Sequence, residues 1–192
     1  DGPDGKTYAI FLAVRPYEGD YYNTGRETFI APVEWKDEWP VINPNNKEVL
    51  YSYPANIKEQ KVKGTLPQSG NFSYTLSFKN QLDPSLLFFF FFYSSAFSLS
   101  KKQGLTLKLK PETIMDLSNP SFVGKRQQHL YNTVETQFDF IPAGSNEKAG
   151  LTVFQSETNF YFMAKSTANG KAVIQLFKGK PGEKQMEMLV EI

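Results

Sequence analysis

Tyr8-Ala9-Ile10-Phe11-Leu12-Ala13-Val14, then Glu27-Thr28-Phe29-Ile30-Ala31-Pro32-Val33-Glu34-Trp35, then Trp39-Pro40-Val41-Ile42 are three extended runs divided by breakers, and their reading decides the fold. The first is continuously apolar, as a buried strand is. Arg15 to Asn23 follows as a loop, with Pro16, Gly19 and Asp20 as breakers. Asp37-Glu38 turns the chain between the second and third runs. The three runs predict an antiparallel meander closed by residue 42.

Asn43-Pro44-Asn45-Asn46-Lys47 ends that pattern. From 43 to 70 the chain reads as an extended linker, with Pro44, Pro54, Gly64, Pro67 and Gly70 and little periodicity. A domain boundary is expected there. Beyond it, short alternating runs resume at the spacing of an all-β sandwich. The expected strands are Phe72–Phe78, Leu86–Tyr93, Leu105–Lys110, Leu130–Ile141, Leu151–Gln155, Phe160–Lys165, Ala172–Phe177 and Met186–Ile192. Leu105 to Lys110 places leucines on one face and Thr or Lys on the other, and Gln137 to Phe140 alternates likewise. Asn169-Gly170 signals a tight hairpin. Phe88 to Phe92 puts rings on both faces of a strand, which suits a doubly buried one.

Composition narrows the function. Lys and Arg number 21 against 20 Asp and Glu, a net charge of +1 in 192 residues. That balance excludes a polybasic nucleic-acid binder and an acidic disordered tail. Cysteine is absent, which excludes disulfides, a cysteine nucleophile and thiolate metal sites. It fits the cytoplasm, a bacterial periplasm and secretion alike. The single histidine argues against a multi-histidine metal centre and a Ser-His-Asp triad. The apolar run from Leu86 to Tyr93 falls well short of the roughly 20 residues of a spanning helix, so no membrane partner is expected. The opening residues do not read as a signal peptide, and none is expected at this point. Asp1-Gly2-Pro3-Asp4-Gly5 reads as a turn, so the first residue is expected to lie inside a longer protein.

The stretch from Arg15 to Ile42 carries the chemistry. Gly25 is expected to allow close backbone approach beside Arg26. Arg26 and Glu27 point to opposite faces of a strand, so one can face a cavity while the other packs or pairs. Tyr17, Tyr21 and Tyr22 suit either sugar stacking or capping of a core. Glu18, Asp20 and Glu27 share one short loop and do not easily flank a sugar ring as an acid–base pair. They read as solvated or arginine-paired carboxylates. His129, a lone histidine, reads as a satisfied structural residue. Lys178 to Lys184 is a charged turn without the interleaved aromatics of a nucleic-acid patch.

The string Gly25-Arg26-Glu27-Thr28, with Glu34-Trp35-Lys36-Asp37-Glu38-Trp39-Pro40, resembles the last propeller blade of two-domain members of glycoside hydrolase family 43, the β-xylosidases and α-L-arabinofuranosidases. Downstream, Leu107 to Glu112, Asn119 to His129, Ala149 to Gln155 and Asn159-Phe160-Tyr161 resemble the concanavalin-like β-sandwich of those enzymes. The resemblance covers most of residues 5–42 and 105–165.

That resemblance implies an all-β chain. Residues 1–42 would be the end of a five-bladed β-propeller, 43–70 a linker, and 71–192 a partial concanavalin-like sandwich. It implies release of terminal xylose or arabinose from plant-wall oligosaccharides by single displacement with inversion. The family's base, acid and third carboxylate lie on earlier blades, so this chain alone is expected to be inactive. The sandwich is expected to continue past Ile192. Arg26 would reach the sugar, with its guanidinium fork on two hydroxyls. Phe122 would cap the pocket, with Tyr22 and Arg126 as further substrate-binding residues. Gln127 and Gln128 lean towards an interdomain interface. Arg26 and Phe122 are expected to converge on one sugar-sized hollow. Where some relatives carry histidine near an axial metal site, this chain has Tyr21, which weakens coordination there. No cofactor is expected of this chain, although the complete propeller has room for a calcium ion. The implied partners are a pentose-containing oligosaccharide and the rest of the propeller, as the same or another chain. The rival reading is a non-catalytic carbohydrate-binding sandwich. An exposed aromatic row on its face would support that rival.

Overall fold

The computed structural model describes residues 1–58, 70–79, 81–89, 97–183 and 185–192. It contains strands and turns and no helix among those residues. The chain divides into two compact units, Asp1–Thr75 with Gln127–Leu130, and Leu76–Arg126 with Tyr131–Ile192.

The first unit is built on the expected meander. Strands β1 (Thr7–Val14), β2 (Arg26–Lys36) and β3 (Trp39–Ile42) form one antiparallel sheet in the order β1-β2-β3. The register pairs Phe11 with Phe29, whose rings stack at 6.0 Å, and Val14 with Arg26. Alternation places Phe11, Phe29 and fully buried Ala31 on one face. The opposite face carries Ile10, Leu12, Val14 and Ile30, and Ile10 is 72% exposed. The two-residue turn Asp37-Glu38 has φ values of 49° and 68°, so two non-glycine residues hold the left-handed conformations that a tight hairpin needs. Asn43, at φ 55°, ends the sheet. Its amide donates to the carbonyls of Glu48 (2.7 Å) and Asn46 (3.2 Å), and its oxygen accepts from the Tyr53 hydroxyl at 3.0 Å. The start of the expected linker is thereby folded back onto itself; 59–69 of that linker lies outside the described residues.

The second unit centres on a four-stranded antiparallel sheet. Counting in chain order, β4 (Leu86–Leu87) pairs β7 (Gly124–Lys125), and β5 (Phe97–Ser100) pairs β6 (Gly104–Leu107). The main sheet runs β11-β10-β9-β8, from β8 (Ala149–Ser156), β9 (Asn159–Ala168), β10 (Lys171–Lys178) and β11 (Glu187–Glu191). Asn169 and Gly170, at φ 50° and 74°, make the expected two-residue hairpin between β9 and β10. The inward face carries Phe160, Ala164, Ser166, Gln175 and Phe177, each less than a tenth exposed. Ser166 is tied there by donating to the Glu147 carbonyl at 2.8 Å.

Two expected strands do not form. Residues 72–78 and 130–141 run without a ladder among the described residues, and Val134 and Ile141 stand 63% and 91% exposed. Alternation tells which side chains share a face. It does not supply the neighbouring strand whose N–H and C=O groups make a ladder. The run expected over 105–110 shortens to Gly104–Leu107, and that over 86–93 to two residues, with 90–93 outside the described residues.

Gly150, on β8, sits where the β9 backbone leaves no room for a side chain. A Cβ added there would lie 1.9 Å from the Met163 carbonyl oxygen and 2.8 Å from Ala164 Cα. Both are backbone, so the strands themselves must part. Gly150→Ala is expected to destabilise the second unit by about 2–3 kcal/mol, read as a lower urea midpoint than wild type.

Candidate functional site

In the first unit, the loop between β1 and β2 is held by its own backbone. Tyr17 and Tyr21 exchange both amide–carbonyl bonds, at 2.8 and 2.9 Å, with their rings 6.1 Å apart. Glu18, Gly19 and Asp20 between them all have positive φ, at 30°, 69° and 69°. The chain then presents Tyr21 and Tyr22 at the surface, 66% and 50% exposed. The Gly25 amide donates to the Tyr22 carbonyl at 2.8 Å.

Gly25 needs its lack of a side chain for conformation, not for space. Its φ is 70° and nothing lies within 4 Å of an added Cβ. The expected close approach is therefore replaced by a left-handed turn that β-carbons resist.

After that turn the strand divides its charges. Glu27 accepts a two-pronged ion pair from Arg15, Nε to Oε2 at 3.2 Å and Nη2 to Oε1 at 3.1 Å. Thr24 Oγ1 donates to the same Oε2 at 3.0 Å. Partial burial opposes the charge on Arg15, but the Tyr51 hydroxyl and Glu27 outweigh it and raise its pKa. Arg26 points to the other face. It is exposed, with no hydrogen bond or ion pair among the described residues. A groove of about 350 Å³ is lined by Tyr8, Arg15, Glu27, Phe29, Leu50 and Tyr51, among others. Glu27, not Arg26, is the one of the pair that lines it.

Asn23 and His129 join Gln127–Leu130 to the rest of this unit, and Gln127 folds the segment on itself. Asn23 Nδ2 donates to the Leu130 carbonyl at 2.9 Å. Gln127 Nε2 donates to the His129 carbonyl at 2.6 Å and the Leu130 carbonyl at 3.2 Å. The His129 ring meets the Gly70 carbonyl at 2.9 Å and packs edge-on to Phe72 at 4.9 Å. His129 is thus a satisfied structural histidine. Sequence reasoning missed Asn23; nothing local links it to a carbonyl 107 residues away. The Arg15–Glu27 pair was legible only as a generic alternative, although the hairpin register makes them neighbours.

In the second unit, Phe122 is half-buried in an aromatic cluster. Its ring lies 4.4 Å from Phe89 and 5.8 Å from Phe154, and Phe154 stacks on Phe160 at 6.3 Å. Gly124 lies under the ring, where an added Cβ would come 2.6 Å from it. Arg126 is exposed. On the outward face of the β8–β11 sheet, Val153, Met163, Ile174 and Val190 are exposed around Tyr161, whose ring faces Lys178 Nζ at 5.8 Å. Among the described residues that face carries one aromatic, not a row. No group of three or more metal-ligating side chains occurs among the described residues.

A sequence profile described as the Beta xylosidase C-terminal Concanavalin A-like domain matches residues 79–191. A "Xylosidase/arabinosidase" of Butyrivibrio fibrisolvens is 32% identical over 83% of this chain and 30% of its own length. A "Non-reducing end alpha-L-arabinofuranosidase" of Bacteroides ovatus is 33% identical over 91% of this chain and 32% of its own. Among solved structures, the Bacteroides ovatus xyloglucan PUL GH43B superposes with a TM-score of 0.69 at 28% identity, covering 98% of this chain and 38% of that one. A GH43_12 enzyme retrieved from a capybara gut metagenome gives 0.67 at 27% identity, covering 96% and 36%. The chain therefore spans about a third of the length of the relatives it matches.

Two outcomes follow from the geometry of the first unit. Arg15→Met removes the forked ion pair and leaves Glu27 half-covered and unpaired. It is expected to cost about 1–2 kcal/mol, seen in chemical denaturation, with Glu27→Gln costing less. At the N-terminus, the Tyr8 hydroxyl donates to Asp4 at 2.8 Å and holds that carboxyl below its ordinary value of 3.8; slight desolvation opposes this and the Lys6 amide adds to it. A depressed folded pKa gives stability that is present above the unfolded pKa and lost as pH falls through the folded one. Tyr8→Phe is therefore expected to be slightly less stable than wild type at neutral pH and to converge with it as pH falls below 3.8, which flattens the acid limb of the first unit's stability, as followed by chemical denaturation at a series of pH values.

Proposed function

The chain belongs to glycoside hydrolase family 43, and from that premise we propose that it is part of an enzyme releasing terminal xylose or arabinose from plant-wall oligosaccharides by inverting hydrolysis. One observation carries the reading. Relatives named xylosidases and arabinofuranosidases align along 83–91% of the chain, so the likeness extends over both units and not the concanavalin-like domain alone. In this reading residues 1–42 are the last propeller blade, 43–70 the linker and 71–192 the sandwich.

Arg26 is the principal sugar-binding group. An exposed guanidinium without an internal partner keeps all its donors for hydroxyls, and a forked donor set fits two adjacent ones. Tyr22, exposed on the loop upstream, offers a ring, and in the second unit exposed Arg126 and half-buried Phe122 are read as further substrate-binding residues. The carboxylates of this stretch do other work: Glu27 is held by Arg15 and Thr24, and Glu18 and Asp20 sit at an exposed turn. Inversion needs an acid and a base about 6.5–9.5 Å apart across the sugar, and this reading assigns both, with the third carboxylate, to the rest of the propeller. The exposed face of Ile10, Leu12, Val14 and Ile30 is where that remainder would pack. The rival carbohydrate-binding module is less well supported, because its outward sheet face presents Tyr161 among aliphatic residues.

The isolated chain is expected to hydrolyse neither an aryl xyloside nor an aryl arabinofuranoside above the buffer rate. Turnover that survives purification would overturn this division of labour. In titrations with xylobiose followed by NMR, wild type is expected to show shifts at Arg26 and Tyr22, and Arg26→Ala to weaken binding about tenfold or more.

A further inference from the structure

We infer that Asn23 is a positioning residue, through which Gln127–Leu130 latches the loop that presents Tyr22 and Arg26. The inference rests on the reading of those two residues as sugar contacts. Two side chains meet at one carbonyl. Asn23 donates to Leu130 O at 2.9 Å, across 107 residues of chain. Gln127 donates to the same oxygen at 3.2 Å and to His129 O at 2.6 Å, which folds the segment into a compact knot. His129 anchors the knot to Gly70 O at 2.9 Å and to the edge of Phe72. All of these residues lie in the first unit, although the chain on either side of Gln127–Leu130 belongs to the second.

The latch acts downstream of the Tyr17–Tyr21 pair, which holds the first half of the loop by its own backbone. Tyr21 and Tyr22 are exposed, and the next local tie is the Gly25 amide on Tyr22 O. Beyond the turn the strand is held by the β1–β2 ladder, which begins at Arg26, and the Thr24 side chain is tied to Glu27. Tyr22 therefore sits between two fixed points, the Tyr17–Tyr21 pair upstream and Asn23 with its far carbonyl downstream. Removing the Asn23 amide releases the side of the loop that the ladder does not reach. Arg26 is the last rung of that ladder and directly follows the Gly25 turn, so loosening of the turn reaches its amide and the start of its side chain.

The test uses the full chain, with Asn23→Ala, Asn23→Asp and Gln127→Ala. Asn23→Asp keeps the size and removes the donor, and serves if the alanine variant folds poorly. Amide hydrogen exchange at Gly25 and Arg26 is measured beside xylobiose affinity and the melting temperature. Asn23→Ala is expected to speed exchange at those amides and weaken xylobiose binding by roughly fivefold each, the share of one hydrogen bond. The melting temperature and exchange in β8 to β11 stay at wild-type values, and Gln127→Ala moves the same amides in the same direction. Unchanged exchange at Gly25 and Arg26 in the Asn23 variants overturns the latch. So does faster exchange with unaltered xylobiose affinity. A wild-type chain that ignores xylobiose overturns the sugar-binding reading instead, and the exchange data still decide whether the latch exists.

Discussion

Glu27 is gripped from two sides, by the fork of Arg15 and by the hydroxyl of Thr24. Much of the first unit's functional geometry depends on that grip. In an extended strand the neighbour of a tethered residue must point the other way. Fixing Glu27 against the β1 side therefore commits Arg26 to the opposite face, with its donors unspent. The brace is partly covered, so its charge-assisted bonds are worth more than those of a surface pair such as Lys180 and Glu187, which lie about half exposed. It also separates two roles that the Arg26-Glu27 dipeptide leaves open: one charge is tethered, and its neighbour has no side-chain partner among the described residues.

The backbone does comparable work with turns. Asp37-Glu38 and Asn169-Gly170 both close two-residue hairpins in left-handed conformations, but only the second has the residue pair that relieves the strain. Glu18, Gly19 and Asp20 hold a third such turn, fixed by the reciprocal Tyr17–Tyr21 bonds. Sheet faces complete the picture. The inward face of the main sheet buries Phe160, Ala164 and Phe177, while the β1–β2 sheet leaves Ile10, Leu12 and Ile30 largely in solvent. Contiguous exposed apolar side chains of this kind are characteristic of surfaces that take a partner.

The legible part of the fold was the part with local causes. Apolar runs bounded by Pro, Gly and Asp located β1, β2 and β3, and the Asn169-Gly170 pair located the β9–β10 hairpin. The runs over 72–78 and 130–141 had the same alternation and form no ladder among the described residues, because a strand also needs a neighbour and alternation is silent about neighbours. Among the candidate residues, Arg26 was legible as a strand-start arginine after a glycine, and His129 as a structural histidine. Phe122 could not be ranked from its context. In a chain with 17 phenylalanines, only coordinates reveal that its ring joins Phe89 and Phe154.

By itself, the order of residues determined an all-β chain without cysteine chemistry, a meander at its start and the family to which it belongs. Each of these follows from residue type and short-range spacing, which act within a few peptide units. Tertiary structure alone decided which charge of the Arg26-Glu27 pair is tethered, why Gly25 must be glycine, and that Asn23 reaches a carbonyl more than a hundred residues onward. Those outcomes depend on register and on long-range backbone approach, and hydrogen bonds form wherever donor and acceptor meet in space, whatever the chain length between them.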